Sequence, residues 1–205
     1  MGGDKQSGSP SEMNSSELPD VAAFQDEFTR DFIQKSEPTK EGYYSFKSGS
    51  NSFTMDFPEN LVVIRESYNK DENDGSEMIE LSLPKSERDK IDAVPVVKLH
   101  YYDFMSSEEN SKESITARSS GTLEFKSLES VKSDQHIQYA ENKDGIYPGL
   151  SGLVWNDNNQ QIQIFASVVC KEGLSDEECE TKAKPIKDSL VEILSSIQFL
   201  KEGNE

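Results

Sequence analysis

The sequence has no long hydrophobic run and few of the residue types from which catalytic and metal sites are most often built. No stretch of about 18 consecutive apolar residues occurs in the 205-residue chain, so no transmembrane helix is predicted. No segment has the regions of a secretory signal, so no signal peptide is predicted either. There are two histidines, two cysteines and one tryptophan. A site that needs these residue types must use His100, His136, Cys170, Cys179 or Trp155.

Catalytic, cofactor and metal patterns are also missing. A zinc site would need both histidines and both cysteines, and a four-ligand site from so few ligands is not expected. No serine lies in a G-x-S-x-G pattern, and no glycine-rich phosphate loop occurs. We therefore expect no catalytic residue, no cofactor and no metal. The alternative is a hydrolase or metal-dependent enzyme, which a deep polar pocket holding His100 or His136 beside a carboxylate would favour.

The polar loop 69–75 (NKDENDG) is the segment most similar to a calcium motif. An EF-hand loop has a glycine at its sixth position, whereas Gly75 is one place late counted from Asn69 and one place early counted from Asp71. An Asp-Gly turn between two strands explains the loop without a metal. Calcium binding stays an open alternative.

Basic residues are scarce relative to acidic ones. The chain has 21 Lys and Arg against 39 Asp and Glu, a formal net charge of −18. Such a surface repels phosphate backbones, so no nucleic-acid partner is expected. It also disfavours charge-driven docking onto anionic lipid. A well-solvated surface is the simplest interpretation, and an intracellular acidic adaptor or chaperone that recruits a basic client is the alternative.

Apolar residues are nearly absent from the first 18 residues, which are rich in Gly, Ser and polar groups. This composition predicts a disordered tether over residues 1–18, a single domain over 19–202 and a disordered tail over 203–205. Residues 2–9 (GGDKQSGS) resemble the segment that follows the lipidated cysteine of bacterial lipoproteins. The resemblance implies an extracytoplasmic protein that contacts the membrane only through a lipid anchor. An ordinary disordered cytoplasmic amino terminus is the alternative.

The two cysteines lie where a strand meets a helix. Cys170 ends the strand-like residues 161–169, and Cys179 falls in the first turns of a predicted helix. Ser175 and Glu178 have the spacing of a capping box, which places the helix start at Ser175. This corner can bring the two Cα atoms within disulfide distance. We expect a Cys170–Cys179 disulfide and therefore an oxidising compartment, with two independent buried cysteines as the alternative.

Hydrophobic periodicity predicts an α+β fold. Residues 20–35 repeat apolar side chains at helical spacing, and so do residues 176–196, where Pro185 should kink or divide the helix. Residues 105–120 are predicted as a loop, with one helical turn as an open alternative, and the ambiguous pattern of residues 123–131 favours a short helix. Between the long helices we expect an antiparallel β-sheet of about six to eight strands, flanked by an N-terminal and a C-terminal helix. The strand-like segments are residues 42–47, 52–57, 61–68, 77–83, 94–104, 135–140, 149–156, 160–169 and 197–200.

Two segments resemble one protein family. Residues 52–67 (SFTMDFPENLVVIRES) resemble the opening of the PsbP/Mog1-like domains of bacterial lipoproteins through Phe53, Phe57 and Pro58, although Leu61 stands where Trp is common. Residues 188–200 (DSLVEILSSIQFL) resemble the closing helix and strand of that family. The resemblance implies an α-β-α sandwich. It also implies a binding or assembly module rather than an enzyme.

A set of aromatic residues forms one candidate recognition surface. Tyr147 lies in a Gly- and Pro-containing turn, and it could join Trp155 and the pair Tyr43 and Tyr44. Packing of these side chains in the core is the alternative. Together these features predict a monomeric, non-catalytic extracytoplasmic lipoprotein domain that binds an unknown protein or envelope component.

Overall fold

The chain forms two antiparallel β-sheets that pack against each other. The computed structural model describes residues 9–119, 122–130, 132–142 and 147–200. The smaller sheet has the order β1-β2-β3-β12, and the larger one has the order β4-β6-β7-β11-β10-β9-β8, with β5 paired to β6. The strands are β1 Ile33–Lys40, β2 Tyr43–Lys47, β3 Phe53–Pro58, β4 Val62–Val63, β5 Asn69–Lys70, β6 Ser76–Ser82, β7 Ala93–Tyr102, β8 Lys126–Leu128, β9 Gln135–Glu141, β10 Gly149–Asn156, β11 Gln161–Cys170 and β12 Gln198–Phe199.

Five helices accompany these strands in the described part of the chain. They are α1 Ala22–Gln25, α2 Glu27–Arg30, α3 Lys85–Arg88, α4 Glu108–Arg118 and α5 Asp176–Ser196. The predicted α+β class with antiparallel strands is therefore confirmed, as are the hairpins β2–β3 and β10–β11. No helix within the described ranges is long and apolar enough to cross a bilayer.

Alternation along the strands places aromatic side chains between the two sheets. Phe46 on β2 and Phe57 on β3 are fully buried and stack with their ring centroids 5.5 Å apart. Phe53 on β3 reaches Tyr101 on β7 of the large sheet at 6.1 Å. Tyr101 also packs near Phe199 on β12, at 6.5 Å. Since period-two alternation puts every second side chain on one face, these strands supply the shared core.

A buried carboxylate also connects the sheets. Glu77 on β6 is only 3% exposed, and its oxygens accept hydrogen bonds from the Gly49 and Ser50 amides at 2.8 and 3.1 Å and from Ser50 Oγ at 2.6 Å. The Tyr68 hydroxyl is a further partner, and burial together with this carboxylate raises the pKa of Tyr68. A Cβ on Gly49 would lie 2.2 Å from that hydroxyl, so the β2–β3 turn requires glycine there.

The disulfide joins Cys170, the last residue of β11, to Cys179 in the first turns of α5. The two Cα atoms are 5.8 Å apart. The predicted capping box is present, because Ser175 Oγ accepts from the Glu178 amide at 3.3 Å and Glu178 Oε2 accepts from the Ser175 amide at 2.9 Å. The disulfide prediction is confirmed. The helix continues past Pro185 to Ser196 and is not divided there.

The N-terminal helix predicted over residues 20–35 is wrong. The segment forms the single turns α1 and α2, and the chain enters β1 at Ile33. Long-range hydrogen bonds replace the helical ones: the Ala23 amide donates to Glu59 O at 3.0 Å, and the Val63 amide donates to Thr29 Oγ1 at 2.9 Å. The apolar side chains still reach the core, since Phe24 is fully buried.

Three other element predictions need correction. Residues 105–120, predicted as a loop, contain the helix α4, whose N-cap Ser107 accepts from the Asn110 amide at 3.1 Å. Residues 123–131, predicted as a short helix, contain the strand β8, which pairs with β9. The strand predicted over 61–68 is limited to β4 and is followed by a 3-10 turn, Arg65–Ser67.

Residues 9–18 pack on the domain, whereas the sequence predicts a tether through residue 18. Pro10–Glu12 and Ser15–Glu17 form 3-10 turns, and Leu18 is buried in the core. The Arg30 side chain donates to Met13 O at 3.1 Å and holds this segment. Residues 1–8 of the predicted tether and the predicted tail 203–205 lie outside the described residues.

Removing the disulfide should destabilise the protein without changing its fold. In the chain-entropy account, closing so short a loop stabilises the folded state by about 2–3 kcal/mol. We expect the Cys170→Ser/Cys179→Ser double variant to lose this amount of unfolding free energy in urea titrations. A reducing agent should lower the stability of the wild type similarly and leave the double variant unchanged. Equal stability of wild type and double variant would contradict the prediction.

Replacing the buried carboxylate should lower the free energy of unfolding more than replacing an exposed one. Glu77→Gln places an amide group among backbone and hydroxyl donors, and we expect a loss of roughly 2–4 kcal/mol in unfolding free energy. Glu80→Gln on the same strand is the matched control. Its carboxylate faces only Lys98, at 3.7 Å and partly exposed, so we expect a loss below about 1 kcal/mol. Losses of equal size in chemical denaturation would show that Glu77 does not connect the sheets.

Candidate binding site

The large sheet has an outer face, turned away from the small sheet, and α4 covers only one end of it. Ile115 of α4 is fully buried against Leu153 of β10 and Met105. The partly buried Trp155 and Phe165 border this cluster. The rest of the outer face, toward the beginning of β7 and the end of β11, is not covered by α4, and Arg88 at the end of α3 borders it.

Arg118, the last residue of α4, lies at the border between the covered and uncovered parts. Its guanidinium stacks over the Phe165 ring, 4.5 Å from the centroid. Nη1 lies 3.2 Å from His100 Nδ1, and Nη2 donates to Gln163 Oε1. Nε lies 3.4 Å from Ser114 O. These contacts, on side chains from α4, β7 and β11, fix the guanidinium in one orientation.

His100 is a neutral partner of this arginine. Arginine has no acceptor, so His100 Nδ1 must accept the hydrogen bond and its proton must lie on Nε2. Burial, reinforced by the nearby charges of Arg118 and Lys98, lowers the pKa of His100 below its usual value. Nε2 is buried and has no hydrogen-bond partner among the described residues. A histidine flanked by two cations in this way is not set up as a general base beside a carboxylate.

A short chain of hydroxyls continues from the end of α4. Ser119 Oγ lies 2.9 Å from Ser151 Oγ, and Ser151 Oγ donates to Asn142 Oδ1 at 3.1 Å. Ser151 is 1% exposed, so its hydroxyl is satisfied inside the protein. Because Ser151 donates to Asn142, Ser119 supplies the hydrogen of the serine–serine bond.

These groups line a cleft of about 280 Å³, which we call the Arg118 cleft. Among the described residues that line it, two are cationic and none is a carboxylate. They are Val96, Lys98, Arg118, Ser119, Asn142, Tyr147, Ser151, Phe165, Ala166 and Ser167.

A second, more apolar depression adjoins the cleft. Val96 lines both, and the second also contains Val94, Val169 and the partly exposed Ile91, with the charged Arg88, Asp89 and Lys171 among its lining residues. Its volume is about 500 Å³, and Cys170 lies at its edge. We call it the valine pocket. Together the two form a continuous uncovered region with a polar, cationic half and an apolar half.

The structure does not bring the four predicted recognition aromatics together. Tyr44 is 7% exposed and packs edge-to-face on Phe24 in the core, 4.7 Å away. The Tyr43 hydroxyl lies 2.8 Å from Ser189 Oγ of α5, on the inner side of the large sheet. Trp155 lies on the outer face. The predicted surface is therefore wrong as a unit, since its members occupy opposite faces.

Only Tyr147 of the four lies at the Arg118 cleft, where it is 45% exposed. Arg118, which organises the cleft, was missed by sequence reasoning because its segment was predicted to be a loop. The serine followed by two glutamates at residues 107–109 is a helix-start signal that could have revealed α4.

The other sequence-derived candidates lie apart from the cleft. His136 stacks on Trp155 at 5.1 Å, and its Nε2 is 3.3 Å from Asp157 Oδ1 at the exposed β10–β11 turn. In the loop 69–75, Asp71 Oδ1 accepts from the Asn73 and Gly75 amides at 3.0 and 2.9 Å. Its carboxylate thus closes the turn. No group of three or more His, Cys, Asp and Glu side chains suited to a metal occurs within the described ranges.

The structure defines a disulfide-containing α+β domain with two antiparallel sheets and a partly uncovered sheet face. The sequence model of the family described as "Putative lipoprotein YvcA" matches residues 19–198. The chain therefore belongs to this lipoprotein family, and the family resemblance stated from residues 52–67 and 188–200 is confirmed.

A curated protein and a solved structure illustrate what the chain is similar to. The "Putative lipoprotein YvcA" of Bacillus subtilis (strain 168) is 42% identical over 50 residues, which are 24% of this chain and 21% of that protein. The match thus spans about a fifth of the relative's length. The crystal structure of the Saccharomyces cerevisiae Ran-binding protein Mog1p aligns with a TM-score of 0.43 and 13% identity, covering 76% of this chain and 94% of that one.

The lowered pKa of His100 predicts one component of the pH dependence of stability. An unfolded histidine binds its proton near pH 6.5, whereas folded His100 takes it up only at lower pH. Its contribution is therefore fully present above about pH 6.5 and is lost as the pH falls through the folded pKa. We expect the wild type to lose more melting temperature than His100→Gln between pH 7.5 and 5.

His136→Gln is the control, since it removes the only other histidine. It should follow the wild type in differential scanning fluorimetry across this pH range. If the melting temperature of His136→Gln depends on pH as weakly as that of His100→Gln, the effect does not come from His100.

Proposed function

We propose that this chain is the extracytoplasmic domain of a membrane-anchored lipoprotein and that it binds a partner, without catalysis, through the uncovered part of its outer sheet face. The observation that carries the proposal is the pairing of the Arg118 cleft with the valine pocket. Sheets usually have both faces covered or one face solvated by polar residues. Here apolar Val94, Val96 and Val169 lie beside an oriented guanidinium on the uncovered half.

Family membership and the disulfide support the extracytoplasmic location in this proposal. The family is described as a lipoprotein family. Structural disulfides form and persist in oxidising compartments and are rare in the cytosol. The Cys170–Cys179 bond therefore argues against the intracellular adaptor and for export.

The chemistry of the cleft supports binding rather than turnover. His100 has Arg118 and Lys98 as its charged neighbours, and Ser151 donates to an amide oxygen instead of to a histidine. A nucleophile–base pair of the kind used by hydrolases is therefore not assembled in the cleft. What the cleft offers is oriented donors and an aromatic ring, which are features of recognition sites.

A site-specific cross-linking experiment tests the surface. A photoreactive amino acid at Val96, which lines both halves of the uncovered region, should give a discrete adduct in cells that carry the full-length lipoprotein. The same probe at Lys184, exposed on α5 at the inner side of the large sheet, is the matched control and should give none.

A substitution that fills the cleft extends the test. Ser167→Trp should abolish the Val96 adduct without lowering the melting temperature by more than a few degrees. An adduct that forms equally from Lys184, or that survives Ser167→Trp, would place the binding surface elsewhere.

A further inference from the structure

We propose that the Arg118 cleft binds a phosphate group carried by a small molecule. The inference rests on the proposed function, because it assigns a ligand chemistry to one half of the proposed binding surface. It is carried by the charges and donors that converge on the cleft from α4, β7, β10 and β11.

Two cations of different origin face this small space. Arg118 extends from the end of α4, and Lys98 extends from β7. Lys98 forms a long ion pair, 3.7 Å, with Glu80, whose carboxylate lies outside the cleft lining. No carboxylate within the described ranges lies at ion-pair distance from Arg118. In a chain of net charge −18, two cations side by side in one cleft favour an anionic ligand by charge complementarity.

The free donors of the cleft suit a tetrahedral oxyanion better than a planar one. A carboxylate binds arginine best through two parallel bonds to one edge of the guanidinium. Both Nη2 hydrogens of Arg118 already have partners in Gln163 and Ser114, and one Nη1 hydrogen faces His100. No complete edge is left for a carboxylate.

A phosphate accepts single bonds from several directions and can use the donors that remain. These are the second Nη1 hydrogen of Arg118, the Lys98 ammonium and the hydroxyls of Tyr147 and Ser167, which line the same cleft.

The net negative charge of the protein favours a small anionic ligand over an anionic membrane surface. At physiological ionic strength the Debye length is about 8 Å, so the two cations act on a group inside the cleft. A bilayer of anionic headgroups would instead bring a wide negative surface against 39 acidic side chains. We therefore commit to a free phosphate-bearing molecule, with the phosphate inside the cleft.

Titration of the folded protein with inorganic phosphate and with glycerol 3-phosphate tests the inference. Amide resonances of Ser119, Ser151 and Ser167 should shift in a saturable way in two-dimensional NMR spectra. Lys98→Gln and Arg118→Gln should each raise the dissociation constant at least about tenfold. Lys98→Gln is the cleaner of the two, since this exposed side chain has no role in the core.

Lys112→Gln is the matched control. It removes the same charge from a partly buried position on α4 outside the cleft lining, where Lys112 pairs with Glu108, and it should leave phosphate binding unchanged. Absence of saturable shifts, or equal weakening by Lys112→Gln, would overturn the inference. Co-sedimentation with phosphatidylglycerol vesicles without shifts by free phosphate would overturn it as well.

The outcome separates this inference from the proposed function. If phosphate fails to bind while the Val96 cross-link persists, the surface is correct and the ligand chemistry is wrong. If the cross-link maps elsewhere, the proposed function fails whatever the phosphate titration shows.

Discussion

The buried carboxylate of Glu77 is the interaction on which the arrangement of the two sheets depends. It belongs to the large sheet, yet besides the Tyr68 hydroxyl its donors are groups of Gly49 and Ser50, in the turn between two strands of the small sheet. A buried charge is tolerated only where hydrogen bonds replace its water. The turn supplies these bonds and is itself closed by them. Next to this contact, the rings of Phe53 and Tyr101 pack together and fill the space between the two sheets.

The α5 helix completes the connection from the other side. Its disulfide holds one end to β11, and Leu194 packs so closely on β10 that a Cβ on Gly152 would lie 2.9 Å from it. The opposite flank binds the small sheet, where Ser196 Oγ accepts from the Asp56 amide at 2.9 Å. With both sheets held on their inner sides, the outer face of the large sheet beyond α4 is left uncovered. The position of the site is thus a consequence of how the core is closed.

The sequence predicts an element correctly where its turn, capping and periodicity patterns agree with the tertiary packing of that segment. The β2–β3 hairpin follows from alternation around a Ser-Gly-Ser-Asn turn, and α5 follows from its capping box and its apolar spacing. Prediction failed for α4, in which Ile115 is the single large apolar residue, so that no periodic stripe marks the helix. It failed for residues 20–35 because the hydrogen bond that Glu59 O accepts from Ala23 and the one that the Val63 amide donates to Thr29 override helical periodicity. The Arg118 cleft could not be predicted, since Arg118 contacts Gln163 across 45 residues of sequence.

The last strand has a consequence for the order in which the protein can assemble. β12 pairs with β3, so one edge of β3 stays open until residues 198 and 199 are available. A chain delivered from its amino terminus exposes the apolar strand Phe53–Pro58 from the delivery of residue 58 until residues 198 and 199 follow. Open edges of this kind template pairing with other chains. A chaperone would therefore reduce aggregation most by binding this strand until β12 pairs with it, rather than by assisting formation of the large sheet.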